Sequence, residues 1–140
     1  MKYTEYVERM KAINSNWELP WEERNALANA LIRQAHEEIA VGDGVTIRFW
    51  SDAHAGTVVK RTKKMIVVRR DKATLSSDYK PEWVVGGFSA VCLNQDEQSY
   101  TYEPDENGTE YRVYAGRDGI FRYEGKLIRI GRHEFYDYNF

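Results

Sequence analysis

The sequence predicts an α+β domain in which an N-terminal helical hairpin packs on a strongly bent, mostly antiparallel sheet or small barrel. Apolar residues recur about every 3.6 positions up to Gly42, and from Val45 onward they alternate with polar residues. The later strands are short and separated by glycine-containing turns, which favours sequential antiparallel hairpins. With 140 residues, 42% of them hydrophobic, the chain suits one domain with its own core. We therefore expect a single domain over 1–140, made of a helical hairpin at 1–41 and a β-rich body at 42–140.

Two amphipathic patterns predict the helices. In residues 3–14 apolar side chains recur at helical spacing, and a run of three polar residues then ends the pattern. A second helix is expected to begin near Pro20, because proline suits a first helical turn and the glutamates that follow interact favourably with the helix dipole. Its apolar stripe extends to Ile39, and Gly42 ends it.

Strand signals begin after the helices. Alternation of apolar and polar residues predicts strands, and clusters of small or charged residues predict the turns between them. The predicted order is a strand at 45–50, a polar turn at 51–56, a strand at 57–60, a turn at 61–64 and a strand at 65–70.

Two later hairpins are predicted from dipeptides that favour tight turns. Asn107-Gly108 would join strands at 99–103 and 110–115, and Glu124-Gly125 would join strands at 120–123 and 126–130. The stretch 71–98 is interrupted by Pro81 and by the Gly86-Gly87 pair, so we expect a long loop with one short strand at 88–93.

Charge is strongly segregated although the net charge is only −2. Residues 44–80 contain nine Lys or Arg and three Asp or Glu, and residues 81–110 contain no Lys or Arg and seven Asp or Glu. The near-neutral total argues against wholesale, non-specific nucleic-acid binding. Any binding to phosphate would therefore be local and centred on the basic segment.

The basic segment has the pattern of a small β-meander. A Gly-Asp-Gly run, a strand and a polar turn ending in Ala55-Gly56 resemble the opening of SH3-like barrels of the KOW and ribosomal-protein type. In such modules basic turns and exposed aromatic residues contact the backbone of RNA or DNA. The alternative is a solvated basic face that the acidic segment neutralises. The resemblance implies a contact set of Arg48, Trp50, Lys60, Arg61, Lys63, Lys64, Arg69 and Arg70.

The predicted turn in the run from Trp50 to Gly56 carries several side chains that can take part in binding or catalysis. Loop residues held by a rigid sheet are where function usually lies. Asp52 is placed in the sequence to fix the tautomer of His54, which would let the imidazole act as acid, base or ligand near neutral pH. The alternative is structural, because Asp and Ser are ordinary turn residues.

The last ten residues alternate charged and aromatic side chains. This pattern predicts a closing strand with Phe135, and also Phe140, buried against the body. The alternative is an aromatic and cationic pocket for a base and a phosphate, formed by Arg132, His133, Tyr136 and Tyr138.

Several classes of site and location are not expected. Cys92 is the only cysteine, which excludes an intramolecular disulfide or a Cys-based zinc site within one chain and favours a reducing cytoplasm. We expect no signal peptide and no membrane partner, because the N-terminal residues are charged throughout and no run of about 18 apolar residues occurs. Phosphate-loop, dinucleotide and H-E-x-x-H patterns are absent from the sequence, so no cofactor and no metal site is predicted.

Five runs in the β-rich body form a distinctive set. They are WSDAHAG at 50–56, KPEWVVGGF at 80–88, NQDEQ at 94–98, YEPDENG at 102–108 and GRHEFYDYNF at 131–140. Together they resemble a group of small proteins encoded by tailed bacteriophages and prophages. The resemblance implies a bacterial host cytoplasm, and it carries over no activity and no catalytic residues. By analogy, such proteins often act by binding nucleic acid or host components, including defence machinery.

These observations lead to one main hypothesis and two rivals. The main hypothesis is a non-enzymatic accessory protein that binds nucleic acid or a nucleotide through the basic meander at 48–70. The first rival is an inhibitor or adaptor whose acidic segment docks on a host nucleic-acid enzyme, and the second is a hydrolase using Asp52, His54 and His133. A homodimer with a composite site is a further open alternative. The predicted ligand-binding residues are Arg48, Trp50, Asp52, His54, Lys63, Lys64, Arg70, Arg132, His133 and Tyr136.

Overall fold

The computed structural model describes residues 1–86 and 89–139. Helix α1 spans Tyr3–Ser15 and helix α2 spans Trp21–Glu37, and they pack on each other as a hairpin, which confirms the predicted N-terminal unit. α2 ends five residues before Gly42. A tight turn follows, in which Asp43 Oδ2 accepts a hydrogen bond of 2.9 Å from the Ala40 backbone N–H.

Eleven strands occur in the described residues, together with a short 3₁₀ helix at Gln95–Glu97. They are β1 (Gly44–Arg48), β2 (Ala53–Arg61), β3 (Met65–Arg70), β4 (Lys72–Leu75), β5 (Trp83–Gly86), β6 (Ser89–Cys92), β7 (Tyr100–Glu103), β8 (Glu110–Ala115), β9 (Phe121–Tyr123), β10 (Lys126–Leu127) and β11 (Arg129–Ile130).

Seven of these strands form one antiparallel sheet in the order β10-β9-β8-β3-β2-β1-β11. β10 and β11 lie at its opposite edges although only Ile128 separates them in the chain. The segment 126–130 therefore pairs with β9 on one side and with β1 on the other, which brings the two edges together. The result is a nearly closed, barrel-like sheet with an N-terminal helical hairpin, so the predicted α+β class is confirmed.

The core fills the barrel and the space between it and α2. It comprises inward-facing aliphatic residues of β1, β2, β3 and β8, with Phe121 and Ile128 from the closing segment and Ala35 from α2. Phe121 and Ile128 are fully buried. Burying a side chain of this size contributes about 2 to 3 kcal/mol relative to leaving it exposed.

His36 fastens α2 to the closing segment, a role that the sequence patterns did not indicate. It is 1% exposed. Its Nδ1 accepts a hydrogen bond of 2.9 Å from the Phe121 N–H, so Nε2 carries the proton and donates to the Ile128 carbonyl at 3.0 Å. Burial lowers the pKa of His36 from 6.5 to about 4, despite the opposing effect of the Ile128 hydrogen bond. The imidazole is therefore neutral near pH 7.

The stretch 71–98 contains more regular secondary structure than its proline and glycine residues predict. It contains β4, β5 and β6, and β5 pairs with β6 as a hairpin, where one strand was expected. The strand predicted at 88–93 corresponds to β6, with Phe88 outside the described residues. Glycine and proline end a strand locally, but they do not prevent short strands on either side.

One predicted hairpin is confirmed and the other is wrong. Glu124-Gly125 joins β9 to β10, and both residues have the positive φ that this tight turn requires (49° and 81°). β7, however, pairs with β4, and β8 pairs with β3 and β9. Asn107-Gly108 is therefore a turn between two sheets. A side chain at Gly108 would collide with the carbonyl oxygen of Arg70.

The turn before β2 and the C-terminal segment also differ from prediction. β2 begins at Ala53, so only its first part is a turn, closed by the Phe49 N–H donating to the Asp52 carbonyl at 2.8 Å. The predicted closing strand is reduced to one antiparallel bridge between Ala53 and Phe135. Phe135 is half-buried, and Phe140 lies outside the described residues.

Candidate functional site

The predicted site residues lie at two separate places on the barrel. β2 is nine residues long, so its ends are about 26 Å apart at roughly 3.3 Å per residue. Arg48, Trp50 and Asp52 lie near its first residue, whereas Lys63 and Lys64 follow its last. One ligand-binding surface that unites all of them is therefore excluded for any small ligand.

Residues 131–139, which we call the C-terminal strap, cross the outer face of β1 and β2. The strap continues from β11 along the edge of β1, where the Gly131 N–H donates to the Gly44 carbonyl at 3.0 Å. Thr46 then donates its hydroxyl to the Gly131 carbonyl at 2.7 Å and accepts the His133 N–H at 2.8 Å. The strap reaches the far edge of β2 at Phe135, which pairs with Ala53. Its course is thus set by hydrogen bonds to both strands.

Arg132 of the strap is bound to a buried carboxylate. Its Nε donates to Asp71 Oδ2 at 2.7 Å, and its Nη2 donates to Thr57 Oγ1 at 2.9 Å. The Asp71 side chain is 2% exposed and also accepts a bond of 2.7 Å from Thr57 Oγ1. Arg132 is therefore committed to neutralising Asp71, and the expectation that it binds a ligand phosphate is not supported by its contacts.

Glu134, an acidic residue of the strap, neutralises Arg70. Glu134 Oε2 accepts a hydrogen bond from Arg70 Nη2 at 2.9 Å, and its Oε1 accepts the Ala55 N–H at 2.8 Å. Arg69 pairs with Glu110 at 2.9 Å. Both arginines at the end of β3 are thus paired with carboxylates of this chain. Of these two carboxylates, only Glu110 belongs to the acidic segment 81–110.

The geometry required for the hydrolase hypothesis is absent. His54 is paired in register with Ile47, so it faces the barrel interior, and its ring lies 4.7 Å from the Phe49 ring centre. The backbone N–H of His133 instead bonds Thr46, which faces outward. The two histidines therefore lie on opposite faces of the β1–β2 pair. Asp52 accepts the Asp137 N–H at 2.8 Å and thereby anchors the strap, where it was expected to orient His54.

The pKa values of these two histidines are lowered for related reasons. Burial lowers the pKa of His54, and the nearby Arg70 guanidinium acts in the same direction. Burial also lowers the pKa of His133, with Arg129 as the contributing cation. The His133 ring packs 5.2 Å from the Tyr3 ring centre, so it joins the strap to α1.

An open pocket of about 570 Å³, which we call the strap pocket, lies between the β1–β2 turn and the strap. Aromatic rings and hydrogen-bonding groups line it. Tyr136, predicted to belong to a pocket here, is not among the lining residues, because the Gln98 side chain binds its backbone N–H and carbonyl at the surface. The predicted residues that do line the pocket are Arg48, Trp50, Asp52, Arg132 and His133.

A second open pocket of about 570 Å³, which we call the basic groove, lies at the opposite end of β2. It is formed by the last turns of α2, the β2–β3 turn and the β8–β9 turn. Glu37 and Asp118 are its acidic residues. Its basic lining residues are Arg33, Arg61, Lys63, Lys64 and Arg117.

Two of the charges around the basic groove are already satisfied. Arg61 donates to the last carbonyls of α2, at His36 (3.0 Å) and Glu37 (3.3 Å), and lies 4.9 Å from the Phe121 ring centre. Hydrogen bonds from Arg122, helped by the Ile120 N–H, lower the pKa of Asp118 to about 2. Asp118 therefore stays ionised and paired with Arg122.

The other cations of the groove have no such partner. In residues 1–86 and 89–139, no ion pair involves Arg33, Lys63, Lys64 or Arg117. They come from α2, the β2–β3 turn and the β8–β9 turn. The sequence pattern predicted the two lysines but not the two arginines. Arg33 and Arg117 are distant from the meander in the sequence, and only the fold brings them close to it.

Comparisons with known proteins give no relative for this chain: no family model, no curated protein and no solved structure matches it. Within the described part of the chain, no helix is long and apolar enough to cross a membrane. Nor do the described His, Cys, Asp and Glu residues form a group of three or more that could hold a metal ion.

Proposed function

We propose that this protein binds nucleic acid through the basic groove. The observation that carries the proposal is the convergence of Arg33, Lys63, Lys64 and Arg117 from three elements without an ion pair among the described residues. A folded protein gains little from collecting like charges, because they repel each other. A ligand that carries several negative charges would relieve this repulsion.

The neighbouring sheet surface supports a polymer as the ligand. Lys60 and Arg112 both pair in register with Val67, so the two cations flank it on the outer face of β2, β3 and β8. Tyr114, next to the groove, is 59% exposed. Cations that follow a backbone, combined with an exposed aromatic ring on which a base stacks, are the usual means of binding single strands.

Salt dependence gives a quantitative expectation. If each of the four unpaired cations neutralises one phosphate, the logarithm of the affinity should fall against the logarithm of the salt concentration with a slope of roughly −3. Removing two of the cations should bring the slope nearer to zero by roughly 1.5.

The test is a binding titration with fluorescently labelled single-stranded DNA, single-stranded RNA and duplex DNA, followed by anisotropy at several salt concentrations. The Lys63→Gln/Lys64→Gln variant should bind at least about tenfold more weakly at low salt. Lys11→Gln/Lys80→Gln is a matched control, because it removes the same charge from exposed lysines away from the groove.

Two results would refute the proposal. The first is that none of the three nucleic acids binds at low salt. The second is that the control variant loses as much affinity as the groove variant, because binding would then depend only on net charge. Circular dichroism and the melting temperature establish that both variants are folded.

An acidic docking surface is a second candidate. Glu97, Glu103, Asp105 and Glu106 form no ion pair with any residue in the described ranges, so the basic segment does not neutralise them. They are available to imitate phosphates toward a host nucleic-acid enzyme. Reversing all four charges should abolish capture of such an enzyme from a bacterial lysate, and capture that survives the reversal would remove this candidate.

A phage or prophage origin and a bacterial cytoplasmic location are part of the same proposal. Their support is the set of sequence runs at 50–56, 80–88, 94–98, 102–108 and 131–140. Co-purification from bacteria that express the protein, with identification of bound nucleic acid and protein, tests whether it binds a bacterial partner. Light scattering tests whether it forms a homodimer.

A further inference from the structure

We infer that the strap pocket is a second binding site and that its ligand is a nucleoside monophosphate, with the phosphate held by Arg48 and Arg129 and the base stacked on Trp50. The inference does not rest on nucleic-acid binding by the basic groove, because the two pockets lie at opposite ends of β2 and share no lining residue.

The strand register brings the two arginines together. Arg129 of β11 is paired with Thr46 of β1, and Arg48 lies two residues further along β1 on the same outer face. Diagonal neighbours of this kind have Cα atoms about 7 to 8 Å apart, well within the reach of two arginine side chains to one phosphate. Both are exposed, both line the pocket, and neither forms an ion pair with a described residue.

Trp50 provides the stacking surface. It is 81% exposed at the tip of the β1–β2 turn, which is unusual for a tryptophan because the ring is large and apolar. Lys126 Nζ lies 5.6 Å from the ring centre, which adds a cation beside the pocket. Tyr100 and Tyr102 also line the pocket. A planar, polar base is the kind of group that such rings accommodate.

The balance of charge limits the ligand to few negative charges. Asp52 and Asp96 line the same pocket, and Glu134 and Arg132 are already paired within the fold. The unpaired arginines are thus offset by carboxylates more fully than the cations of the basic groove, where five basic residues face only Glu37 and Asp118. A single phosphate suits this balance better than a polyphosphate or a long nucleic-acid backbone. The pocket volume of about 570 Å³ is in the usual range for small-molecule sites.

Two sources share this chemistry: a free nucleotide and the 5′-terminal nucleotide of a strand. Isothermal titration calorimetry with the four nucleoside monophosphates, adenosine, ribose 5-phosphate and inorganic phosphate tests the free ligand. A short oligonucleotide with and without a 5′-phosphate tests the strand end. Binding of at least one nucleoside monophosphate or of the 5′-phosphorylated strand, at least about tenfold tighter than of the form lacking phosphate, is expected.

Variants assign the binding to the strap pocket. Arg48→Gln/Arg129→Gln should weaken nucleoside monophosphate or strand-end binding at least about tenfold, and Trp50→Ala should weaken it similarly while leaving inorganic phosphate unaffected. Lys11→Gln/Lys80→Gln is the matched control, because it removes the same charge from exposed lysines that line neither pocket, and it should leave this binding unchanged. The melting temperature of each variant without ligand verifies folding.

Three outcomes would overturn the inference. One is that neither the monophosphates nor the 5′-phosphorylated strand binds at millimolar concentration. Another is that ribose 5-phosphate binds as tightly as the nucleotide, since the base would then not be recognised. The last is that Lys63→Gln/Lys64→Gln, and not Arg48→Gln/Arg129→Gln, removes the binding of the nucleoside monophosphate. Failure here leaves the anisotropy result for the basic groove unaffected, so the two proposals fail separately.

Discussion

The two ends of β2 both carry clustered cations, but the cations are used differently. At the strap end Arg70 and Arg132 are held by Glu134 and the buried Asp71 at 2.9 and 2.7 Å. At the groove end Lys63 and Lys64 lie on an exposed turn without an ion pair in the described structure. The positive charge of residues 44–80 is therefore partly structural and partly available for binding.

The difference arises from where the C-terminal strap runs. Asp71 lies immediately after β3, in a buried position where it contacts β2 and the strap, so its charge needs a partner inside the fold. The β2–β3 turn is not covered by any described segment of the strap. Removing cations at the first place should cost stability, and removing them at the second should cost binding alone.

The largest expected effect is that of Arg132→Met. The substitution keeps the apolar stem but leaves the Asp71 carboxylate buried with only Thr57 as a side-chain partner. Removing one partner of a buried pair costs about 3 kcal/mol or more. Urea denaturation followed by circular dichroism measures the change in the free energy of unfolding.

Arg69→Met is the matched control, because Arg69 is also paired at 2.9 Å but its partner Glu110 is about half exposed. An exposed pair of this kind contributes less than about 1 kcal/mol. Equal losses for the two variants would contradict the difference in burial on which the comparison depends.

A smaller loss of stability is expected when the pH is lowered, because the neutral imidazole of His36 joins α2 to the barrel at the groove end of β2. The folded state lowers the pKa of His36 to about 4, so the unfolded chain binds its proton more readily, with a pKa of about 6.5. Its stabilising contribution is complete above about pH 6.5 and is lost as the pH falls toward 4. Between about pH 7 and pH 5 the free energy of unfolding should fall by about 2 kcal/mol from this group.

The measurement is urea denaturation at both pH values. His54→Gln/His133→Gln removes the other two histidines and should retain most of the pH dependence. NMR titration of the wild type should show His36 still neutral at about pH 5. A His36 signal that titrates near 6.5 in the folded protein would show that the imidazole is not constrained as described.

Thr46→Val tests the contribution of the strap itself. The expected loss in the free energy of unfolding is intermediate. The Thr46 hydroxyl donates to the Gly131 carbonyl and accepts the His133 N–H, and valine has nearly the same shape but does neither. Leaving two backbone groups without these bonds should cost about 1 to 2 kcal/mol. Hydrogen exchange at the His133 amide should also become faster. Unchanged exchange would mean that the strap is held by its other contacts alone.

The parts of the fold that were predictable from the sequence are those with local causes. The period of apolar residues defines α1, β1 and β3, and the Glu124-Gly125 turn requires only its two residues. The pairing of β7 with β4 was not predictable from Asn107-Gly108, because a turn dipeptide does not determine which strands meet beyond it.

The candidate sites depended even more on distant contacts. Arg132 meets Asp71 across 61 positions, and Arg70 meets Glu134 across 64, so the sequence could not reveal that both arginines are neutralised. Trp50, Lys63 and Lys64 were identifiable as candidate contact residues, because polar and charged runs in the sequence predict exposed turns. Arg129, which we assign to the strap pocket, was missed because its partner Arg48 is adjacent only through strand pairing.

The smallest expected change in stability is that of Lys63→Gln/Lys64→Gln, which tests the groove end of the comparison most directly. Both side chains are exposed, and no ion pair with a described residue is lost, so the free energy of unfolding should change by less than about 0.5 kcal/mol. Any change should be toward greater stability at low salt, because neighbouring like charges are removed. The denaturation midpoint in urea measures it at low and high salt. A loss above about 1 kcal/mol would mean that the lysines are structural like Arg132, and weaker nucleic-acid binding by this variant would then no longer identify a contact surface.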